Sequence, residues 1–180
     1  KARGTQKQKS VGSDEAIAQF SAQFKLFSQS ITNALGVANT PGKCDEQLAK
    51  LLVQLEDLES QFSDHDQFLS DIMDKREAIY ESFEAHKQSL MEARQRRAQT
   101  LSDSASRILN SIEKRSLKLK DSDELNTYFA SDALVLKATE IVQQLRDLNA
   151  EVAAGDVDSR FKALNEQSIR SLRDKIDIYE

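Results

Sequence analysis

From Lys43 to Ala154 the chain contains neither glycine nor proline, so no residue in that stretch forces the backbone out of a helix. The apolar residues within it repeat at helical spacing. With Leu48 as heptad position a, the a and d residues are Leu48, Leu51, Leu55, Leu58, Phe62, His65, Leu69, Ile72, Arg76, Ile79, Phe83, His86, Leu90 and Ala93, and ten of these are large apolar groups. Such a row predicts a coiled-coil seam rather than the apolar stripe of a short globular helix. Past Ala93 the register slips by one residue, and Leu101, Ala105, Ile108, Ile112 and Leu119 carry the seam onward. Leu90 to Leu101 is then a step of eleven residues, or three turns at about 3.67 residues per turn, which straightens the seam locally without ending the helix. The segment EARQRRAQTL (Glu92–Leu101) lies at this slip, which lets Arg94, Arg96 and Arg97 turn toward solvent.

Before this helix, Lys1 to Gly12 is polar, basic and unpatterned and reads as a flexible lead-in, with residues 13–180 as a single helical domain. Ser13 is a suitable N-cap. Ile17, Phe20, Phe24, Phe27, Ile31 and Ala34 then form one helical face, which ends at Gly36 and the turn Asn39-Thr40-Pro41-Gly42. After Lys120, Asp121 caps a short helix reaching Phe129, and Ser131 or Asp132 offers the next cap. Leu134, Ala138, Ile141, Leu145, Leu148 and Val152 step by four and three until Gly155, the expected stop. Phe161, Leu164, Ile169, Leu172, Ile176 and Tyr179 face one way in the last helix.

These lengths predict an all-α fold: an elongated antiparallel coiled coil built on one long helix (about 45–120), with shorter helices folding back on it at both ends. Both termini would then emerge near its middle, opposite Phe62 to Leu69. The rival is a compact three- or four-helix bundle in which that helix breaks near Ser102 to Ser106. Composition agrees with long, solvent-bathed helices: charged residues are 31% of the 180, aromatic residues 6%, and Trp is absent. The single Cys44 has no partner for an internal disulfide, which points to a reducing, cytoplasmic setting. No apolar run approaches the ~20 residues that span a bilayer, so no membrane partner is expected. The chain opens on Lys1 rather than Met, and its last helical pattern runs into Glu180 without a stop signal. It therefore reads as a piece of a larger protein, with the rest of that chain as its first partner.

Few residues invite chemistry. GVANTPGKC (Gly36–Cys44) has glycines beside a lysine, but five residues separate the glycines and Cys44 stands where a phosphate-binding loop needs a hydroxyl. His65 and His86 fall on d positions with no second ligand at metal spacing, and they read as polar seam residues that set register. No catalytic residue, metal site or cofactor is therefore expected, and the chain does not read as an enzyme. Charge is more informative. Arg94 to Lys120 holds eight basic residues (Arg94, Arg96, Arg97, Arg107, Lys114, Arg115, Lys118 and Lys120) against Asp103 and Glu113, while Asp45 to Glu77 holds ten acids. Cations at a helix C-terminus complement its dipole, which accounts for the last turn but not for Arg94 to Arg97. Arg94, Arg96, Arg97, Arg107, Lys114, Arg115 and Lys118 thus form the candidate surface for nucleic-acid phosphates or a protein partner.

The phrases GSDEAIAQF, PGKCDEQLAKLLVQLEDLESQF, KREAIYESFEAHKQSL, RQRRAQTL, DELNTYFASDALV and LRDKIDIYE, spread over most of residues 12–180, resemble the helical region of very large bacterial AAA-type ATPases described as DNA repair ATPases. The resemblance implies a parent that hydrolyses ATP in another domain and works in the bacterial cytoplasm on DNA. None of that family's nucleotide motifs is present here. The expected function is a non-catalytic coiled-coil arm or spacer that transmits motion or docks a partner. The alternative is a free-standing helical scaffold or adaptor that binds other proteins through its seam, and the seam is also compatible with a homodimer.

Overall fold

The computed structural model describes the backbone of residues 2–179 and the side chains of residues 13–178. All regular structure among them is helical: α1 (Ala2–Val37), α2 (Pro41–Gln61), a 3₁₀ turn (Asp66–Phe68), α3 (Leu69–Ser116), α4 (Ser122–Ser131), α5 (Ala133–Asp147) and α6 (Glu151–Tyr179). The chain divides into two packed units, Lys1–Glu92 and Ala93–Glu180, and α3 runs from the first into the second.

The first unit packs α1, α2 and the start of α3 around one core. Phe20, Phe27 and Ala34 of α1 meet Leu51, Leu55 and Leu58 of α2 and Ile72, Ile79 and Phe83 of α3. α1 begins at Ala2, so Ser13 lies inside the helix instead of capping it. The expected irregular lead-in over residues 1–12 is thus helical in backbone from Ala2, and its side chains fall outside the described residues. Helix extends cheaply from turns already packed, here those around Ala16 and Phe20, even through glycines that weaken it. The turn after Val37 forms as expected. Thr40 caps α2 by accepting the Lys43 amide at 3.1 Å, and Pro41 occupies the first turn, where its missing N–H costs nothing.

The long helix expected over 45–120 is interrupted. α2 ends at Gln61 and α3 begins at Leu69, although no glycine or proline separates them. Aromatic packing explains the break. Phe62 and Phe68 are both buried and meet edge-on with centroids 5.5 Å apart. Phe20 of α1 stacks on Phe68 at 4.2 Å and meets Phe62 edge-on at 5.4 Å. In a continuous helix, residues six apart point about 120° away from each other. Unwinding Ser63 to His65, weak helix formers, turns both rings onto the same partner. The alternative break at Ser102–Ser106 does not occur, and α3 passes through it intact.

In the second unit α5 and α6 pack on α3 through Ala98, Leu101, Ala105, Ile141, Leu145, Ala154 and Val157. Leu109, Ile112, Val135 and Ala138 continue the core, with Tyr128 and Phe129 of α4 half-buried against it. Asp121 and Asp132 cap α4 and α5, accepting the Glu124 and Leu134 amides at 2.8 and 2.9 Å. Gly155 does not stop a helix. α5 ends at Asp147, and Asn149 takes the left-handed conformation with φ 59°. The Ala150 amide reaches Leu145 O and the Asn149 amide reaches Arg146 O, both at 2.9 Å, the paired bonds of a Schellman ending. Gly155 instead sits within α6, between the buried Ala154 and Val157. Val152, expected on the apolar face, is 90% exposed as a result.

Candidate nucleic-acid or partner interface

The buried row of α3 in the second unit is Ala98, Leu101, Ala105, Leu109, Ile112 and Ser116. At about 100° per residue these point within about 80° of one another. Arg96, Arg107 and Lys114 point about half a turn away from that row, all exposed, and span about 27 Å along the helix. Arg97 and Arg115 lie on one flank of the same face, also exposed. Arg94 does not turn outward: it falls in line with the buried row and is half-buried. Lys118 and Lys120 follow the end of α3 and are exposed. Leu90, Arg94, Ala98 and Leu101 step by four, four and three within the uninterrupted α3, and Arg94 falls in line with them.

Among the described residues Arg94, Arg96, Arg97, Arg107, Lys114 and Lys118 take part in no ion pair. Glu140 pairs with Lys137 at 3.4 Å, and Asp147 accepts from Gln143 at 2.9 Å. Arg107 donates to Ser104 Oγ at 3.3 Å. Asp103 lies on the basic face and accepts from Gln99 at 2.9 Å, so the row carries one carboxylate among its cations. Arg115 differs from the others. Its guanidinium lies 3.9 Å from Asp132, the residue that caps α5, so part of its charge is spent inside the fold. Tyr128 completes this corner. Burial pushes its hydroxyl above the ordinary phenol value, the Asp132 charge adds to the rise, and Arg115 opposes it.

The two histidines hold structural places. His86 Nε2 lies 2.7 Å from Ala38 O in the α1–α2 turn; a bond there requires the proton on Nε2. His65 sits in the break beside Phe62 and Phe68. Cys44 is buried under the same turn, and burial pushes its thiol above the usual range, with Asp45 adding to the rise and Lys87 opposing it. The segment Gly36–Cys44 spans the end of α1, the α1–α2 connection and the first turn of α2. Among the described residues no group of three or more His, Cys, Asp or Glu side chains converges as a metal site, and no helix is long and apolar enough to cross a membrane.

One contact had no sequence signal. Ser116 and Ser168 are buried with their hydroxyls 3.1 Å apart, linking α3 to α6 where the seam reading had placed neither. Serine is commonly exposed, and only the closeness of the two helices there makes it a core residue. Comparison with protein-family models, with curated proteins and with solved structures finds no match to this chain.

Proposed function

We propose that this chain is a non-catalytic helical arm or spacer of a large bacterial ATPase, arranged as an elongated antiparallel coiled coil on α3. The observation that carries the reading is the continuity of α3 through Leu90, Arg94, Ala98 and Leu101, which gives two packed units one shared helix. A helix used in this way couples its two ends mechanically and needs no chemistry of its own. The ATPase parent and its cytoplasmic setting come from the resemblance to the helical region of AAA-type ATPases. The cations Arg96, Arg97, Arg107 and Lys114, in no ion pair among the described residues, support DNA phosphates as the ligand of the second unit.

Spin labels at Glu77 and Asn110, both exposed on α3, test the continuity. An unbroken helix places them about 50 Å apart at 1.5 Å per residue, and a single narrow distance distribution near that value is expected. A broad distribution, or one centred well below it, overturns the arm. Small-angle scattering tests the elongated arrangement, which a radius of gyration near the ~16 Å of a globular domain of this length would overturn.

A further inference from the structure

The outward side of α3 in the first unit is sorted by charge in a way that internal packing does not require. Around the helix axis, Ile72, Ile79, Phe83 and Leu90 point into the core in nearly one direction. About 50° round from them lie Arg76 and Lys87, both drawn onto α2: Arg76 reaches Glu59 at 2.7 Å and Lys87 reaches Asp45 at 3.0 Å. The remaining cation between Met73 and Met91, Lys75, is turned onto the Phe24 ring of α1, 4.9 Å from its centroid. Every cation of this stretch is therefore committed to the fold. At about 90° from the core comes an exposed apolar row, Met73, Tyr80 and Met91, which are 65%, 50% and 40% exposed. Beyond it, at about 120° to 180°, stand Glu77, Glu81 and Glu84, exposed and in no ion pair among the described residues. Tyr80, Glu81, Glu84, Ala85 and Gln88 form an open, nearly flat patch along this edge.

We propose that this face docks a basic amphipathic helix from a partner protein. The Met–Tyr–Met row is about 27 Å long, which matches about five turns of helix. Methionine adapts its shape to an apolar ridge, and a helix laid along the row presents its apolar residues at heptad spacing. The unpaired carboxylates then face one flank of that helix, and complementarity requires Lys or Arg there. A second copy of this chain does not meet the need. The basic outer face of α3 beyond Met91 carries no exposed large hydrophobic side chain before Leu117, and the basic residues 1–12 contain Val11 as their one large apolar residue, too few for an apolar helical face. Nucleic acid fails for the opposite reason, since the face offers carboxylates where phosphates would lie.

The docking is separate from the mechanical role of α3, and its test does not involve the parent ATPase. Two labelled synthetic helical peptides of about twenty residues share one leucine face and carry either lysine or glutamate on its flanks. The whole chain is titrated against each by fluorescence anisotropy. The lysine peptide is expected to bind at least tenfold more tightly than the glutamate peptide, with a difference that shrinks as salt rises. The triple change Met73→Ser, Tyr80→Ser, Met91→Ser and the triple change Glu77→Gln, Glu81→Gln, Glu84→Gln should each weaken binding about tenfold, with helicity unchanged by circular dichroism. Equal binding of the two peptides overturns the proposal, as does binding that neither variant alters. Dimerisation of the chain that the serine variant abolishes, without peptide binding, assigns the face to a second copy and also overturns it.

Discussion

Leu55 and Val53 lie two residues apart on α2, and the fold treats them as opposites: Leu55 is 0% exposed and Val53 is 58% exposed. Leu55 sits in the core that joins α1, α2 and α3, among Leu51, Leu58, Ile72 and Ile79. Truncating a fully buried leucine to alanine costs about 2–5 kcal/mol, because the surroundings only partly close on the cavity. Leu55→Asp loses the same packing and also places a carboxylate away from water, so its cost should exceed about 4 kcal/mol. For a chain of this length 1 kcal/mol corresponds to about 2–4 °C in Tm, and the expected fall is about 8–16 °C in a melt followed by circular dichroism at 222 nm. Val53→Asp should leave Tm within about 2 °C. The introduced carboxyl also gives the loss a pH signature. Burial raises its folded pKa above the unfolded value, so the native state holds the proton more tightly and the penalty shrinks as pH falls toward 4. A Leu55→Asp melt within 2 °C of the parent, or a Val53→Asp melt that falls as far, would refute the assignment of the α2 core face.

Changing Arg96, Arg107 and Lys114 together to Gln should leave helicity and melting nearly intact, since each is exposed and in no ion pair among the described residues. If the second unit contacts DNA phosphates, the same change should flatten the salt dependence of duplex binding by about one unit of log–log slope per lost contact, and an unchanged slope refutes that role. The Cys44 thiol, the Tyr128 hydroxyl and the Lys87 ammonium all lose their protons above the ordinary range, the last chiefly because of its hydrogen bond to Asp45. Each makes the native state hold its proton more tightly than the unfolded chain, so the stability these three groups contribute is fully present below about pH 8.5 and should decline above it in denaturant titrations. Stability that rises from pH 9 to 10.5 would contradict all three environments. At the α5–α6 turn Asn149→Gly should be tolerated within about 1 kcal/mol, whereas Asn149→Ile should cost about 1–2 kcal/mol, because a β-branched residue resists a positive φ. Equal melting of the two variants would show that the left-handed conformation is absent.

Local chemistry alone determined the helical class, the α1–α2 turn and the caps at Asp121 and Asp132. These depend on spacing within a few turns and on side chains that bond their own backbone, and such information lies in consecutive residues. The continuity of the helix across Arg94–Leu101 was legible for the same reason, since a step of eleven is a property of one helix. The end of α5 was equally local but was read at the wrong residue: Asn149 carries the left-handed ending, while Gly155 lies within α6. What neighbouring helices decide was not legible. The chain unwinds between Phe62 and Phe68 because Phe20, more than forty residues away, presents one ring for both to pack on. Arg94 is half-buried rather than solvent-facing because its direction is set by the helix axis, not by its charge. Ser116 is buried because α6 brings Ser168 within 3.1 Å of it. Likewise Arg76 falls on a seam position, but nothing in the sequence shows that it, Lys87 and Lys75 are held by Glu59, Asp45 and the Phe24 ring. Only the placement of α2 and α1 turns these cations inward and leaves Glu77, Glu81 and Glu84 in no ion pair among the described residues.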